Sequence, residues 1–139
     1  MRRARAALAG AAAALVWGAL EPIDMRLLRN DYSDVAMLGK LVTRTRAWPL
    51  AGLAIHATNG ALFGIVVDEV SHRTGSSAHR VAPALALAES FALFPLAYVV
   101  DRTHPARGQA AVAPFFTPRG LVQETTRHAV FGVVLGRLL

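Results

Sequence analysis

Long apolar runs separated by short polar segments dominate the chain, and their lengths predict helices that cross a bilayer. Trp48 to Val67 and Val81 to Val100 each hold the run of about 20 mainly apolar residues that a spanning helix needs. Asp68-Glu69 closes the first, and Arg80 and Asp101-Arg102 bound the second. Leu121 to Leu139 is a third such run, with Glu124, Arg127 and Arg137 placed toward its two ends. Ala7 to about Ile23 is weaker, because alanine is nearly neutral for insertion and only Leu8, Leu15, Val16, Trp17 and Leu20 drive it. A signal peptide is the rival reading there, since Arg2-Arg3-Ala4-Arg5 precedes an alanine-rich core. The end of the run, Trp17 to Pro22, offers no A-x-A cleavage site, and a retained helix is expected.

Between the first two runs, Ser33-Asp34 makes an N-cap, and Val35, Leu38, Leu41 and Val42 follow at helical spacing. Lys40, Arg44 and Arg46 take the other side. This pattern predicts a short amphipathic helix, lying at the membrane interface or packed over the mouth of the bundle. Ser71 to His79 reads as a short polar loop. Asp101 to Gly120, with Pro105, Pro114 and Pro118, reads as a connection with little regular structure.

The strongest internal pattern is a repeat. His56-Ala-Thr-Asn-Gly60-Ala-Leu-Phe-Gly64 recurs as His128-Ala-Val-Phe-Gly132-Val-Val-Leu-Gly136, offset by 72 residues. Pro22 and Pro95 stand 73 apart. The expected fold is therefore all-α and integral to the membrane. It has four transmembrane helices as two tandem hairpins (internal duplication), plus the short amphipathic interfacial helix. The whole of 1–139 forms a single membrane domain, with repeat 1 about 7–70 and repeat 2 about 81–139. An even number of spans per repeat predicts a pseudo-two-fold axis along the membrane normal. Gly52, Gly60, Gly64, Gly132 and Gly136 fall at four-residue steps, the spacing that lets helices approach closely. With that axis, the two stripes are expected to face the bundle interior, near one another.

Composition agrees. The chain is 54% hydrophobic and 17% charged with mean hydropathy +0.39, against about 45–50% and about 25% in soluble domains. The net charge of +6 rests on arginine, Lys40 being the only lysine. Arg2, Arg3, Arg5, Arg44, Arg46 and Arg80 cluster at the ends of apolar runs, where headgroup phosphates lie. Partners are thus the lipid bilayer and further copies of the chain, not nucleic acid. The absence of cysteine excludes disulfides, thiolate metal sites and cysteine nucleophiles. Abundant alanine, with arginine over lysine, suggests a GC-rich bacterial host and a multi-pass protein of the cytoplasmic membrane. The orientation signals oppose each other. The N-terminal arginines favour a cytoplasmic start, while the side holding the 1–2 and 3–4 connections carries nine basic residues against six.

His56, Glu89 and His128 are titratable residues deep inside the spans. Counting 1.5 Å per residue from the run ends puts His56, Glu89 and His128 roughly 13–18 Å deep, on one level near the membrane centre. Such a cluster suits a proton relay. The histidine pair suits axial ligation of a b-type haem, and all three suit hydrogen bonds that fix helix register. Glu124 and Arg127 read as an interfacial ion pair. His72, His79 and His104 read as solvated loop residues with no metal-site spacing. No nucleophile motif or H-E-x-x-H is present, so no enzyme, metal or cofactor is expected.

The two histidine–glycine phrases, with Arg127 before the second, resemble those of small uncharacterised bacterial four-helix membrane proteins. That resemblance implies a fold and a location but no activity. A structural or accessory membrane component is the function expected. The alternative is a proton-coupled transporter or channel subunit, or less favourably a bis-histidine haem protein.

Overall fold

Glycine and alanine at four-residue steps leave nothing to hold two helices apart, and this is how the chain packs. The computed structural model describes residues 1–112 and 114–139. Its helices are α1 (Arg2–Leu28), α2 (Asp34–Val42), α3 (Trp48–Thr74), α4 (Ala78–Leu93), α5 (Ala97–Thr103) and α6 (Pro118–Leu138). A 3-10 turn at Phe94–Leu96 joins α4 to α5, so Ala78–Thr103 runs as one rod. Pro95 explains the turn, since it has no N–H to donate and its ring crowds the carbonyl four residues back. Among the described residues there is no strand, only an isolated bridge between Tyr32 and Val112.

α1 lies antiparallel on α3, and α4 antiparallel on α6. A Cβ at Gly10 would overlap the Gly60 carbonyl, and one at Gly64 would overlap the carbonyl of Ala6. In the second pair Gly132 abuts Ala82 and Pro83, and Gly136 abuts Ala78 and His79. Gly60 on Gly10 thus corresponds to Gly132 on Ala82, and Gly64 on Ala6 to Gly136 on Ala78, each at an offset of 72. This corrects one expectation. The stripes do not face each other across the interior, because each is consumed by its own antiparallel neighbour. Gly52 meets neither stripe; it receives the Val35 carbonyl and seats α2 on α3.

The remaining surface is inverted relative to a soluble protein. Leu8, Leu15, Leu62, Val66, Phe91 and Val133 point outward, while Arg127, Gln123 and Ser90 rank among the largest fully buried side chains. Hydrocarbon as solvent accounts for this arrangement. Aliphatic groups gain nothing by leaving lipid, whereas polar groups must find partners inside. Among the described residues, α1, α3 and the α4–α5 rod are long and apolar enough to cross a membrane. The chain is a membrane protein on that evidence. The helices also run further than the apolar patterns suggested. Asp68 and Glu69 lie within α3 and pair with Arg2 at 3.1 and 3.0 Å.

The connections 29–47 and 104–117 cap the other end together. The Ser33 N–H donates to the Ala111 carbonyl at 3.1 Å, and Lys40 Nζ donates to that of Ala110 at 2.7 Å. Tyr32 stacks on Phe115 with centroids 4.1 Å apart. Asp101 accepts from the N–H groups of Phe115 and Phe116, each at 2.8 Å. His104, expected to be solvated, is instead buried in this cap, with Nε2 2.9 Å from the Met37 carbonyl. The Ser33 N-cap forms as the sequence predicts, accepting from the Ala36 N–H at 3.0 Å. α2 turns Val35, Ala36 and Gly39 inward, so it is packed onto the bundle.

The packing gives a direct expectation. Gly60→Leu and Gly132→Leu should abolish the close approach and lose the cooperative melt in detergent. Gly75, in the α3–α4 loop with open space about it and φ of 68°, should cost only about 1–2 kcal/mol as Gly75→Ala, the penalty of a left-handed residue. Equal losses at the three sites would show that the stripes do not hold the helices.

Candidate functional site

A guanidinium inside a membrane protein must be met by acids, and α6 brings Arg127 to three of them. The residue is 2% exposed. Nε and Nη2 donate to the two carboxylate oxygens of Asp24 at 2.6 and 2.9 Å, a bidentate grip on the end of α1. Nη1 donates to Asp34 at 2.8 Å and stands 3.7 Å from Glu21, and Nη2 also donates to the Tyr32 carbonyl at 3.0 Å. Glu21 in turn accepts from the Ser33 hydroxyl at 2.5 Å and from the N–H groups of Asp34 and Val35 at 2.8 and 3.2 Å. An acid thereby sits at the N-terminus of α2, where the helix dipole favours it. Burial is the largest single influence on the Asp34 carboxyl and would raise it, but the Arg127 guanidinium and the nearby imidazoles of His56 and His128 together hold it below its ordinary value. Burial, and then the Asp34 charge, push the Tyr32 hydroxyl well above its ordinary value.

This network corrects the reading of Glu124 and Arg127 as an interfacial ion pair. Arg127 turns to Asp24, Asp34 and Glu21, and Glu124 turns to His128. Sequence reasoning missed Glu21, Asp24, Asp34 and Gln123 as a unit. Gln123 completes it, donating to Asp24 and to the Tyr32 carbonyl at 3.3 Å each and accepting from Asn30 at 2.6 Å. The available signal was an unmatched Glu21 and Asp24 at i and i+3 in an apolar helix, with an arginine inside the last run.

Beside the network lies a cavity of about 290 Å³. α3 contributes His56, Asn59 and Phe63 to it, the α4–α5 rod Glu89 and Phe94, and α6 Glu124, Arg127, His128 and Phe131. The three residues predicted to share a level, His56, Glu89 and His128, therefore do line one space. His128 Nδ1 is 3.1 Å from Glu124 Oε1 and 3.0 Å from that residue's carbonyl oxygen. Its Nε2 is 3.7 Å from Glu89 Oε2, ion-pair distance but too long for a hydrogen bond. His56 Nε2 is buried without a partner. Glu89, with 38% of its side chain exposed, and exposed Asn59 stand at the rim.

Both ring nitrogens of His128 are directed at oxygen, so haem ligation would have to give up one of these contacts. Among the described residues, no group of three or more His, Asp or Glu side chains is placed to hold a metal ion.

Replacing Arg127 by methionine leaves buried Glu21 and Asp24 and half-buried Asp34 unanswered. Arg127→Met should lower stability by about 3–5 kcal/mol. Arg127→Lys should recover only part of the loss, since an ammonium cannot grip Asp24 through two parallel bonds. Urea or thermal melts in detergent measure this; a lysine variant as stable as wild type would show that charge alone, not fork geometry, is required.

No protein-family model matches the chain, and comparison with curated proteins and with solved structures finds no match either.

Proposed function

We propose that the chain is a four-span protein of the bacterial cytoplasmic membrane built from two tandem hairpins. Its lateral cavity is the proton-exchanging site of a small transporter or channel subunit. The corresponding glycine contacts at offset 72 support the duplication, and with it an axis along the membrane normal. α6 serves as the fourth span: two of the charges that mark it as polar, Glu124 and Arg127, are turned toward acids and imidazoles of the bundle rather than toward lipid. The resemblance to small bacterial four-helix membrane proteins agrees with this.

The observation that carries the function is His128 suspended between Glu124 and Glu89 on a cavity wall. Imidazole accepts a proton at one nitrogen and releases another from the second. A proton arriving on the Glu89 carboxyl passes to Nε2 once the 3.7 Å gap closes to hydrogen-bond distance or a water bridges it, while the proton on Nδ1 leaves for the Glu124 carboxylate. Exchange of the ring tautomer then restores the start. Groups that only fixed helix register would be mutually satisfied, whereas His56 Nε2 and one Glu124 oxygen are not. One cavity in four helices leaves little room for a complete path, so the working unit is an oligomer of this chain. No reaction on a substrate is assigned, and the protein is not read as an enzyme.

Vesicles with a potassium gradient, valinomycin and an internal pH dye test this reading. The wild type should acidify or alkalinise the lumen faster than protein-free vesicles. His128→Ala and Glu89→Gln should slow that flux roughly tenfold or more, with exposed His72→Ala unchanged. Wild-type flux no faster than the protein-free leak would overturn the proposal.

A further inference from the structure

The cavity has more to it than a relay needs. Glu89, Glu124 and Asp34 line it, with Glu21 and Asp24 behind, against a single guanidinium, Arg127, and two imidazoles, His56 and His128. Five acids less three basic groups leave two surplus negative charges even with both imidazoles protonated, and each must be met by a proton or a cation. Independently, Trp17 and Tyr32 are 5% and 1% exposed and line the cavity, yet the indole Nε1 and the phenol hydroxyl have no hydrogen-bond partner. His56 Nε2 and Glu124 Oε2 are unpaired on the same walls. Folded interiors leave few such atoms, and four around one space point to a bound polar group. Four phenylalanines join aliphatic residues such as Met37, Leu38 and Leu93 in the rest of the lining, with Phe63 and Phe131 edge to face at 5.5 Å and Phe94 and Phe115 likewise at 5.5 Å.

We propose that this cavity binds a small organic monocation, an ammonium head carried on an apolar body. Tyr32 Oη, His56 Nε2 and Glu124 Oε2 accept the ammonium N–H groups, and Glu89 balances the charge from the rim. The Trp17 N–H is left for a hydroxyl or water beside the head. Aromatic faces hold a cation better than an equally sized neutral group. The volume lies at the low end for small-molecule sites, which limits the body to about one ring or a short alkyl chain. The rim at Asn59 and Glu89 lies mid-helix on α3 and α4, so entry is sideways from the membrane. The same ammonium chemistry is offered by a free membrane-permeant amine and by the ethanolamine headgroup of a phospholipid. This inference rests on the cavity being the functional site.

The chain has two tryptophans, so Trp48→Phe leaves Trp17 as the only indole emitter, on the cavity wall. In detergent, 2-phenylethylammonium should change that emission saturably. Propylbenzene, which replaces the ammonium by a methyl group, should bind at least tenfold more weakly. Glu124→Gln, checked for unchanged helical content, should weaken the ammonium about tenfold and leave propylbenzene unaffected. Phe63→Leu, which keeps every charge, should also weaken the cation more than its neutral analogue. Equal binding of the two probes, or an ammonium affinity indifferent to both substitutions, would overturn the proposal. Proton flux in vesicles without any amine binding would likewise sink it while leaving the transport reading intact; amine binding by a protein that moves no protons would do the reverse. Phosphatidylglycerol nanodiscs with and without phosphatidylethanolamine separate the two sources. Loss of probe binding on adding the ethanolamine lipid identifies the headgroup as the occupant, and unchanged binding identifies a free amine; either result supports a cation site.

Discussion

Arg127 sits where neither water nor lipid phosphate reaches it, and the cost of that isolation fixes much of the molecule. Its two parallel bonds to Asp24 tie α6 to the last turns of α1, and its bonds to Asp34 and the Tyr32 carbonyl tie both to the start of α2. Glu21 carries the same tie into the first N–H groups of α2. Tyr32, thus held, presents its ring to Phe115 and its backbone to the Val112 bridge, so the second long connection is seated on the first. Removing one partner of a buried charge network leaves the others uncompensated, a larger effect than the loss of any one contact.

Two kinds of adhesion divide the labour. Within each antiparallel pair, backbone meets backbone at glycine and alanine, and the cohesion is dispersion over closely apposed surfaces. Between the pairs, contact is made by an aliphatic core of Ala9, Ala13, Val67, Val81 and Leu135, by charges and by large rings, among them Phe63 of α3 against Phe131 of α6. Small residues close space and large rigid ones prop it open. The cavity lies between the pairs, where Trp17, Phe63 and Phe131 stand beside the close α1–α3 contact of Ala14 and Gly60.

The sequence pattern revealed what depends on spacing along one helix and hid what depends on distant partners. A fixed rise per residue predicts a common depth for His56, Glu89 and His128, and the three line one cavity. Glycines at four-residue steps announce close approach for the same reason. They do not say which helix approaches: the spacing alone aims the stripes at each other, whereas they pack on α1 and α4. The Arg127 bonds join residues 93 to 103 positions apart, and nearer Glu124 offered a partner that local spacing made plausible. His104 shows the same effect. Its loop is rich in turn residues, yet tertiary contacts with α2 bury it.

The adjacency of Arg127 and His128 links the two halves of the site. Successive residues on a helix turn by about 100°, so α6 directs Gln123 and Arg127 into the charge network and Glu124 and His128 into the cavity. Asp34 and Arg127 themselves form part of the cavity wall. A proton or cation arriving at Glu124 therefore changes the field at a guanidinium that holds α1, α2 and the cap together, across a medium that screens poorly. The same charge cannot serve one role without being felt in the other. Occupancy of the cavity would thus be felt at the one side chain that seats the cap over it.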